Sequence, residues 1–265
     1  MNNKYLFVLF ILLISTKLTY GQSKKALTDI LFVKTNIILE LEQVDNVLKT
    51  KIREDIKNLK KSEGSRNYSR TLLNSFNSFK ATAFLKKYFI EQIDIDSLKS
   101  INSFVNKDIF KKVKELDRSY SKEVKKQEQI EFFNKMKSNP PTKKRIQLLR
   151  NLDDVIEYSS RTEKLLLNTL TAFYVVREGI EFETTKMSSI RAKTDINFPT
   201  DMSVNIKNQF VALGLFKYKD LSDDELLRYN EYLKSVTNKH YLNILNKGYN
   251  FIFTKMFLDY KLIKN

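Results

Sequence analysis

Residues 221–233, LSDDELLRYNEYL, carry the strongest local signal for a helix in the chain. Ser222 and Glu225 have the spacing of a capping box, in which the two side chains accept hydrogen bonds from free amides at the start of a helix. Leu221 and Leu226 have the spacing of the hydrophobic staple that closes around such a box. The apolar residues that follow recur at steps of three and four, which predicts an amphipathic helix.

The same pattern occurs 128 residues earlier, in residues 93–105, IDIDSLKSINSFV. Asp94 is placed to accept hydrogen bonds from the amides of a first helical turn, and Asp96 lies at the positive end of the helix dipole. The staple, the first-turn acid and the apolar stripe of the two stretches coincide, although Ser97 lacks the carboxylate that Glu225 supplies. Because a common helix-start code would produce the same match by convergence, both duplication and convergence stay open.

A weaker similarity joins the segments that follow Ala26 and Ile146. Each is predicted to form a short helix, a polar break and a longer helix, with the breaks at 35–36 and 159–160. Asn139-Pro140-Pro141 divides the two copies, because proline cannot continue a helical ladder and disfavours helical geometry in the residue before it. The chain is therefore predicted to contain two similar helical halves, residues 22–138 and 142–265, either as two units or as one continuous domain.

The composition favours an all-α, multi-helix bundle. The 265 residues include only five glycines and three prolines, whereas all-β folds need many turn residues. Hydrophobic residues make up 42% of the chain, which is enough for a packed core. Cysteine is absent, which excludes disulfides and a lipidated cysteine anchor.

Other local patterns predict further limits of helices. Ser160 and Glu163 have the spacing of a second capping box, and Gly214 is placed to end a short helix that starts at Ser203. Residues 62–65 are predicted to form a loop. Phe79 falls within an aromatic and aliphatic stripe, which predicts that it is buried in the core.

The first residues have the pattern of a secretory leader. Lys4 precedes an unbroken apolar run, residues 5–14, and a short polar segment then ends at Gly21. The run is shorter than the roughly 20 residues that span a bilayer. We therefore predict a signal peptide, residues 1–21, that is cleaved after Gly21, and a mature protein in the periplasm or outside the cell.

The chain is strongly basic, with a formal charge of +16. Removal of Lys4 and Lys17 with the leader would lower this charge to +14. Lysines outnumber arginines by 37 to 10. Arginine is the residue best suited to bidentate recognition of phosphate. Because arginine is scarce, nucleic acid is not favoured as a partner. The last helix carries Lys247, Lys255 and Lys261 beside its aromatic residues, which leaves attachment to an anionic membrane surface as an alternative to core packing.

No pattern of residues predicts a catalytic site, a cofactor or a metal. His240 is the only histidine, so histidine-rich zinc sites are excluded, and we expect it on the surface. Glycoside cleavage needs only two carboxylates, so acidic pairs remain candidates. These pairs are Asp153 with Asp154, Glu178 with Glu181, and the group Asp223, Asp224 and Glu225. Of these, Glu178 and Glu181 are the most interesting, because they lie in an otherwise apolar segment.

The opening pattern of short helix, break and long helix, followed by an aspartate-led helix start, resembles the DUF2059 family of secreted bacterial proteins. The central stretch is also similar, from Pro140-Pro141 through Arg145, residues 149–153 and Thr162 to Glu178-Gly179. The resemblance covers about two-thirds of the mature chain. It implies an all-helical envelope protein and assigns no activity.

These observations predict an exported, non-enzymatic helical protein that acts by binding. The predicted partners are another envelope protein or an anionic envelope surface, and the oligomeric state stays open. The competing hypotheses are a hydrolase of envelope polymers that uses carboxylates alone, and a peripheral protein bound to anionic membranes. A hydrolase requires two carboxylates that converge in one cleft, whereas a binding protein does not.

Overall fold

The computed structural model describes residues 24–58, 63–120, 126–183, 186–194 and 201–264. These residues form an all-α, multi-helix bundle, and no strand occurs among them. The predicted leader, residues 1–21, lies outside the described residues.

The two halves each begin with a short helix followed by a longer one. The helices of the first half are α1 (24–35), α2 (Ile37–Asn58), α3 (Glu63–Ser75), α4 (Ser78–Gln92), α5 (Ile95–Val105), α6 (Asp108–Tyr120) and α7 (Lys126–Ser138). Those of the second half are α8 (Lys143–Ile156), α9 (Tyr158–Glu178), α10 (Met187–Ala192), α11 (Met202–Lys217), α12 (Asp223–Leu233) and α13 (Val236–Lys264).

The predicted similarity of the halves extends to backbone geometry. Asn36 joins α1 to α2 with a φ of 62°, and Glu157 joins α8 to α9 with a φ of 54°. Both residues have the left-handed helical conformation, and they are the only non-glycine residues with positive φ among those that the structure describes. Helices α5 and α12 both contain 11 residues, and their limits are 128 positions apart.

Side-chain caps explain where the matched helices begin. The Asp94 side chain accepts a hydrogen bond from the Ser97 amide, as predicted. Ser222 and Glu225 form the predicted capping box at the start of α12. Thr142 caps α8 directly after the proline pair, and this confirms the predicted break between α7 and α8.

Helices from both halves surround one cluster of buried apolar residues. Helix α2 packs on α9, and α13 packs along α4 of the other half. Gly248 permits the close approach of α13 to α4, because a Cβ atom there would lie 2.4 Å from Cδ1 of Leu85. Phe253 and Phe257 of α13 are fully buried, whereas Leu262 and Ile263 near the end of the helix are exposed. The apolar residues in the middle of the last helix are thus part of the core.

Several predicted helix limits are wrong. Helix α9 begins at Tyr158 without a side-chain cap, so the predicted box at Ser160 is absent. In its place, Asp153 at the end of α8 accepts hydrogen bonds from the amide and hydroxyl of Ser159. Gly214 lies inside α11 and does not end the helix. A Cβ atom at this position would lie only 3.0 Å from Leu149, so the glycine allows close packing of α11 on α8.

The predicted loop at residues 62–65 and the predicted burial of Phe79 are also corrected. Residues 63–65 belong to α3, whereas residue 62 lies outside the described residues. The stripe that contains Phe79 is divided between α3 and α4, with Asn77 as the cap of α4. This division rotates Phe79 away from the core, and 82% of the residue is exposed.

None of the helices in the described residues is both long enough and apolar enough to cross a membrane.

Candidate functional site

A cavity of about 500 Å³ lies between helices of both halves. This volume is within the range of small-molecule binding sites, roughly 300–1,000 Å³. Its walls come from α2, α6, α8, α9, α11, α12 and α13. The aromatic and aliphatic lining residues include Ile37, Phe110, Leu152, Tyr158, Leu165, Phe210, Tyr229, Tyr241, Leu242 and Leu245.

The cavity has a mouth between α2 and α11. Leu39 of α2 and Leu213 of α11 line the cavity and are 41% and 39% exposed, respectively. Gln43 and Gln209 are exposed lining residues on the same two helices. The deeper walls are buried, so a bound molecule would be largely shielded from water.

An ion pair between Glu40 and Arg161 forms one polar wall. Arg161 Nη2 lies 2.9 Å from Glu40 Oε1, and its side chain is only 7% exposed. The Tyr249 hydroxyl donates to the same carboxylate at 2.5 Å. Arg161 also donates to the Ile156 carbonyl, so the guanidinium is held in place from two sides. A buried ion pair needs such additional hydrogen bonds to offset desolvation.

Asp117 is the centre of a second polar wall. Its carboxylate accepts hydrogen bonds from Lys114 at 3.2 Å and from the Tyr218 hydroxyl at 2.7 Å. Lys217 Nζ lies 3.8 Å from the same carboxylate. Two ammonium groups therefore share one carboxylate on this side of the cavity.

Both carboxylates of the cavity are held in the ionised form. Burial favours neutral Glu40, but the charge of Arg161 and hydrogen bonds from Arg161 and Tyr249 outweigh it, so the pKa of Glu40 lies below its ordinary value. Burial is likewise outweighed at Asp117 by Lys114, Lys217 and Tyr218, and its pKa is also lowered. Because both pKa values are lowered, Glu40 and Asp117 carry no proton to donate near neutral pH.

The two halves contribute unlike chemistry at matched positions of the cavity. Helix α6 supplies Lys114 and Asp117, and the positions 128 residues later on α13 are Leu242 and Leu245. All four residues line the cavity, so one wall is charged and the matching wall is aliphatic. The cavity is therefore amphipathic.

The carboxylates that the sequence singled out lie elsewhere. Helix α9 ends at Glu178, so Glu178 and Glu181 do not share a helical face. Glu178 pairs with neighbouring Arg177. Both Glu178 and Glu181 are exposed. Neither lines the cavity.

Four of the other predicted acids have structural partners, and the fifth, Asp224, is exposed in the first turn of α12. Asp153 is buried against Ser159, and Asp154 pairs with Lys207. Asp223 accepts from Arg145, and Glu225 pairs with Lys112 at the start of α12. His240 is exposed on α13, as expected. Within the described residues, no group of three or more potential metal ligands occurs.

The cavity residues could not be recognised from spacing along the chain. Glu40 and Arg161 are 121 residues apart, and each is one charged residue in an amphipathic helix. In the structure, each is the fourth residue after a break with positive φ, Asn36 or Glu157. The sequence predicted the second break at 159–160, so an alignment of the two halves at the predicted breaks would have matched Glu40 with Lys164 and not with Arg161.

The chain matches no protein-family model, no curated protein and no solved structure. The resemblance to the DUF2059 family therefore stays a prediction.

Proposed function

We propose that the chain is an exported, non-enzymatic binding protein of the bacterial envelope, and that its central cavity takes up a small organic molecule. The observation that supports this proposal is the amphipathic cavity, whose volume, mouth and buried ion pairs are typical of ligand sites. The N-terminal pattern of residues 1–21 supports export.

The protonation of the cavity carboxylates favours binding over hydrolysis. Acid-base cleavage of a glycosidic bond needs one carboxyl group that keeps its proton near neutral pH. Glu40 and Asp117 both have lowered pKa values, because cations and hydroxyl donors face them. A fixed, ionised polar wall can orient a ligand, but it does not supply the required proton.

The burial of the last helix favours a cavity ligand over a membrane surface as the partner. Tyr249, Phe253 and Phe257 in the middle of α13 are buried against the rest of the protein, and the exposed apolar residues of the helix lie toward its ends, at Val236, Leu258, Leu262 and Ile263. Membrane attachment of an amphipathic helix needs an apolar face that is free to enter the lipid interface. Lys255 lies 5.4 Å from the ring centre of Phe251 and covers part of the remaining aromatic surface.

Binding of the neutral fluorescent dye N-phenylnaphthylamine to the mature protein tests the cavity. We expect fluorescence enhancement that saturates at one dye per chain and is lost in Leu213→Trp, which narrows the mouth. The control is Leu227→Trp, because Leu227 is 44% exposed on α12 and does not line the cavity. No saturable enhancement, or equal binding by both variants, would contradict the proposal.

Mass spectrometry of the native protein tests export. We expect a chain that begins at Gln22 and is recovered from the periplasm or the medium. Recovery from the cytosol with Met1 retained would contradict this part of the proposal.

A further inference from the structure

We infer that the cavity binds an amphiphile with one negative charge, whose anionic group lies between Lys114 and Lys217 and whose apolar body lies along α13. This inference rests on the proposed function and adds to it the chemical class of the ligand.

The charges of the lining residues support an anion. The cations are Lys114, Arg161 and Lys217, and the anions are Glu40 and Asp117, so the described lining residues carry one excess positive charge. Positive charge that is withdrawn from water is stabilised by a negative partner. A ligand with a single anionic group would balance the cavity.

The excess charge is located beside Asp117. Glu40 makes its ion pair with Arg161, whose guanidinium also donates to a backbone carbonyl, and the charge of Lys114 acts on Glu40 without a direct contact. Asp117, in contrast, faces both Lys114 and Lys217. Each ammonium has three donors, so both lysines retain donors after contact with this carboxylate. An anionic group beside Asp117 would accept hydrogen bonds from both lysines.

The aliphatic lining is suited to the apolar part of such a molecule. Leu165, Leu242 and Leu245 line the cavity, and each is nearly fully buried. Leu242 and Leu245 occupy the positions on α13 that match Lys114 and Asp117 on α6. Contact with these leucines removes apolar surface of the ligand from water, which favours binding. The charged residues of α6 thus hold the anionic end of the ligand, and the leucines of α13 contact its apolar part.

Displacement of the neutral dye by three molecules with the same chain length tests the charge preference. These competitors are dodecanoate, dodecanol and protonated dodecylamine. We expect dodecanoate to displace the dye at a concentration about tenfold or more below that of dodecanol, since a charged hydrogen bond contributes roughly 1.5–3 kcal/mol. Dodecylamine should be the weakest of the three.

Lysine substitutions test the position of the anionic group. Lys114→Met and Lys217→Met should each remove most of the advantage of dodecanoate and leave displacement by dodecanol unchanged. Lys111→Met is the control, because Lys111 is exposed on the same helix. Retained dye binding shows that each variant is folded.

The two proposals fail in different ways. Absence of dye binding contradicts the proposed function. Dye binding with equal displacement by dodecanoate and dodecanol, or with preference for dodecylamine, overturns the inferred ligand class and leaves the proposed function intact. Dodecanoate binding that does not respond to Lys114→Met or Lys217→Met overturns the inferred position.

Discussion

Phe104 and Tyr232 stack with their ring centres 4.5 Å apart and their planes 2° apart, and they occupy the same position in the two halves. The Tyr232 hydroxyl also donates to the Phe104 carbonyl, 128 residues away. Glu40 and Arg161 are a second pair of matched positions in direct contact. In an isologous, two-fold arrangement, the contacts at the axis join a position to its own counterpart. Both pairs fit this arrangement, so the two halves meet at these positions as in an approximate two-fold dimer.

The stacked pair should stabilise the contact between the halves. In a double-mutant cycle of Phe104→Leu and Tyr232→Leu, we expect a coupling energy of about 0.5–1.5 kcal/mol, the range for aromatic pairs. Urea unfolding measures each variant. A cycle of Tyr232→Leu with Phe79→Leu is the control and should show no coupling, because Phe79 is exposed. Equal coupling in both cycles would contradict the prediction.

Asn102 and Asn230 should respond alike to substitution, because their surroundings repeat. Asn102 Nδ2 donates to the Leu27 carbonyl at 3.1 Å, and Asn230 Nδ2 donates to the Leu148 carbonyl at 2.9 Å. Asn102→Asp and Asn230→Asp each replace a buried donor with a carboxylate oxygen. We expect a loss of more than about 3 kcal/mol in unfolding free energy at pH 7 in both variants.

Exposed Asn208 provides the control for this comparison, since Asn208→Asp should change stability by less than about 0.5 kcal/mol. A large loss at only one of the two buried asparagines would show that the halves do not share this contact.

Sequence reasoning recovered the parts of the fold that local chemistry determines. The caps at Asp94 and Ser222 were predicted because a side chain three residues from its partner amide acts within one turn. The start of α9 was not predicted correctly, because Ser159 bonds to Asp153 on the preceding helix. The role of Gly214 also depends on a different helix, through Leu149. Local patterns do not contain such contacts.

The cavity was missed for the same physical reason. Its two polar walls join residues that are distant in sequence, as in Asp117 with Tyr218, 101 residues apart. The acids that sequence reasoning favoured, such as Glu178 and Glu181, were chosen for their closeness along the chain. Two exposed acids on the protein surface can be as close along the chain as two acids in a catalytic site. Glu40 and Asp117 are distinguished by the partners that they meet across the cavity, Arg161 and Tyr218, and these contacts depend on how the helices of the two halves pack.

Asp117 should make stability depend on pH. The folded protein lowers the pKa of Asp117, so its contribution is complete above the ordinary carboxyl range and is lost as pH falls toward the lowered pKa. Asp117→Asn should reduce the unfolding free energy at pH 7 by about 1.5–3 kcal/mol, the range for hydrogen bonds to a charged group.

The difference between Asp117→Asn and the unmodified protein should shrink below about pH 4, where the unfolded chain gains the proton. Urea unfolding between pH 7 and pH 3 measures this trend. Asp96→Asn is the control, because Asp96 is an exposed acid in the first turn of α5. A difference that stays constant over this range would rule out the ionised form of Asp117 as the cause.

Arg161 should be much more important for stability than a surface cation. Its side chain is 7% exposed, and its removal leaves the Glu40 carboxylate without its cation. Breaking a buried ion pair on one side costs about 3–5 kcal/mol, whereas replacing both partners with apolar residues is often neutral. Arg161→Met should therefore be strongly destabilising, and Glu40→Leu combined with Arg161→Met should recover most of the loss. Lys51→Met is the control and should lose less than about 1 kcal/mol, since its pair with Glu54 is exposed. If Arg161→Met and Lys51→Met had equal effects in urea unfolding, the pair at the two-fold axis would not stabilise the contact between the halves.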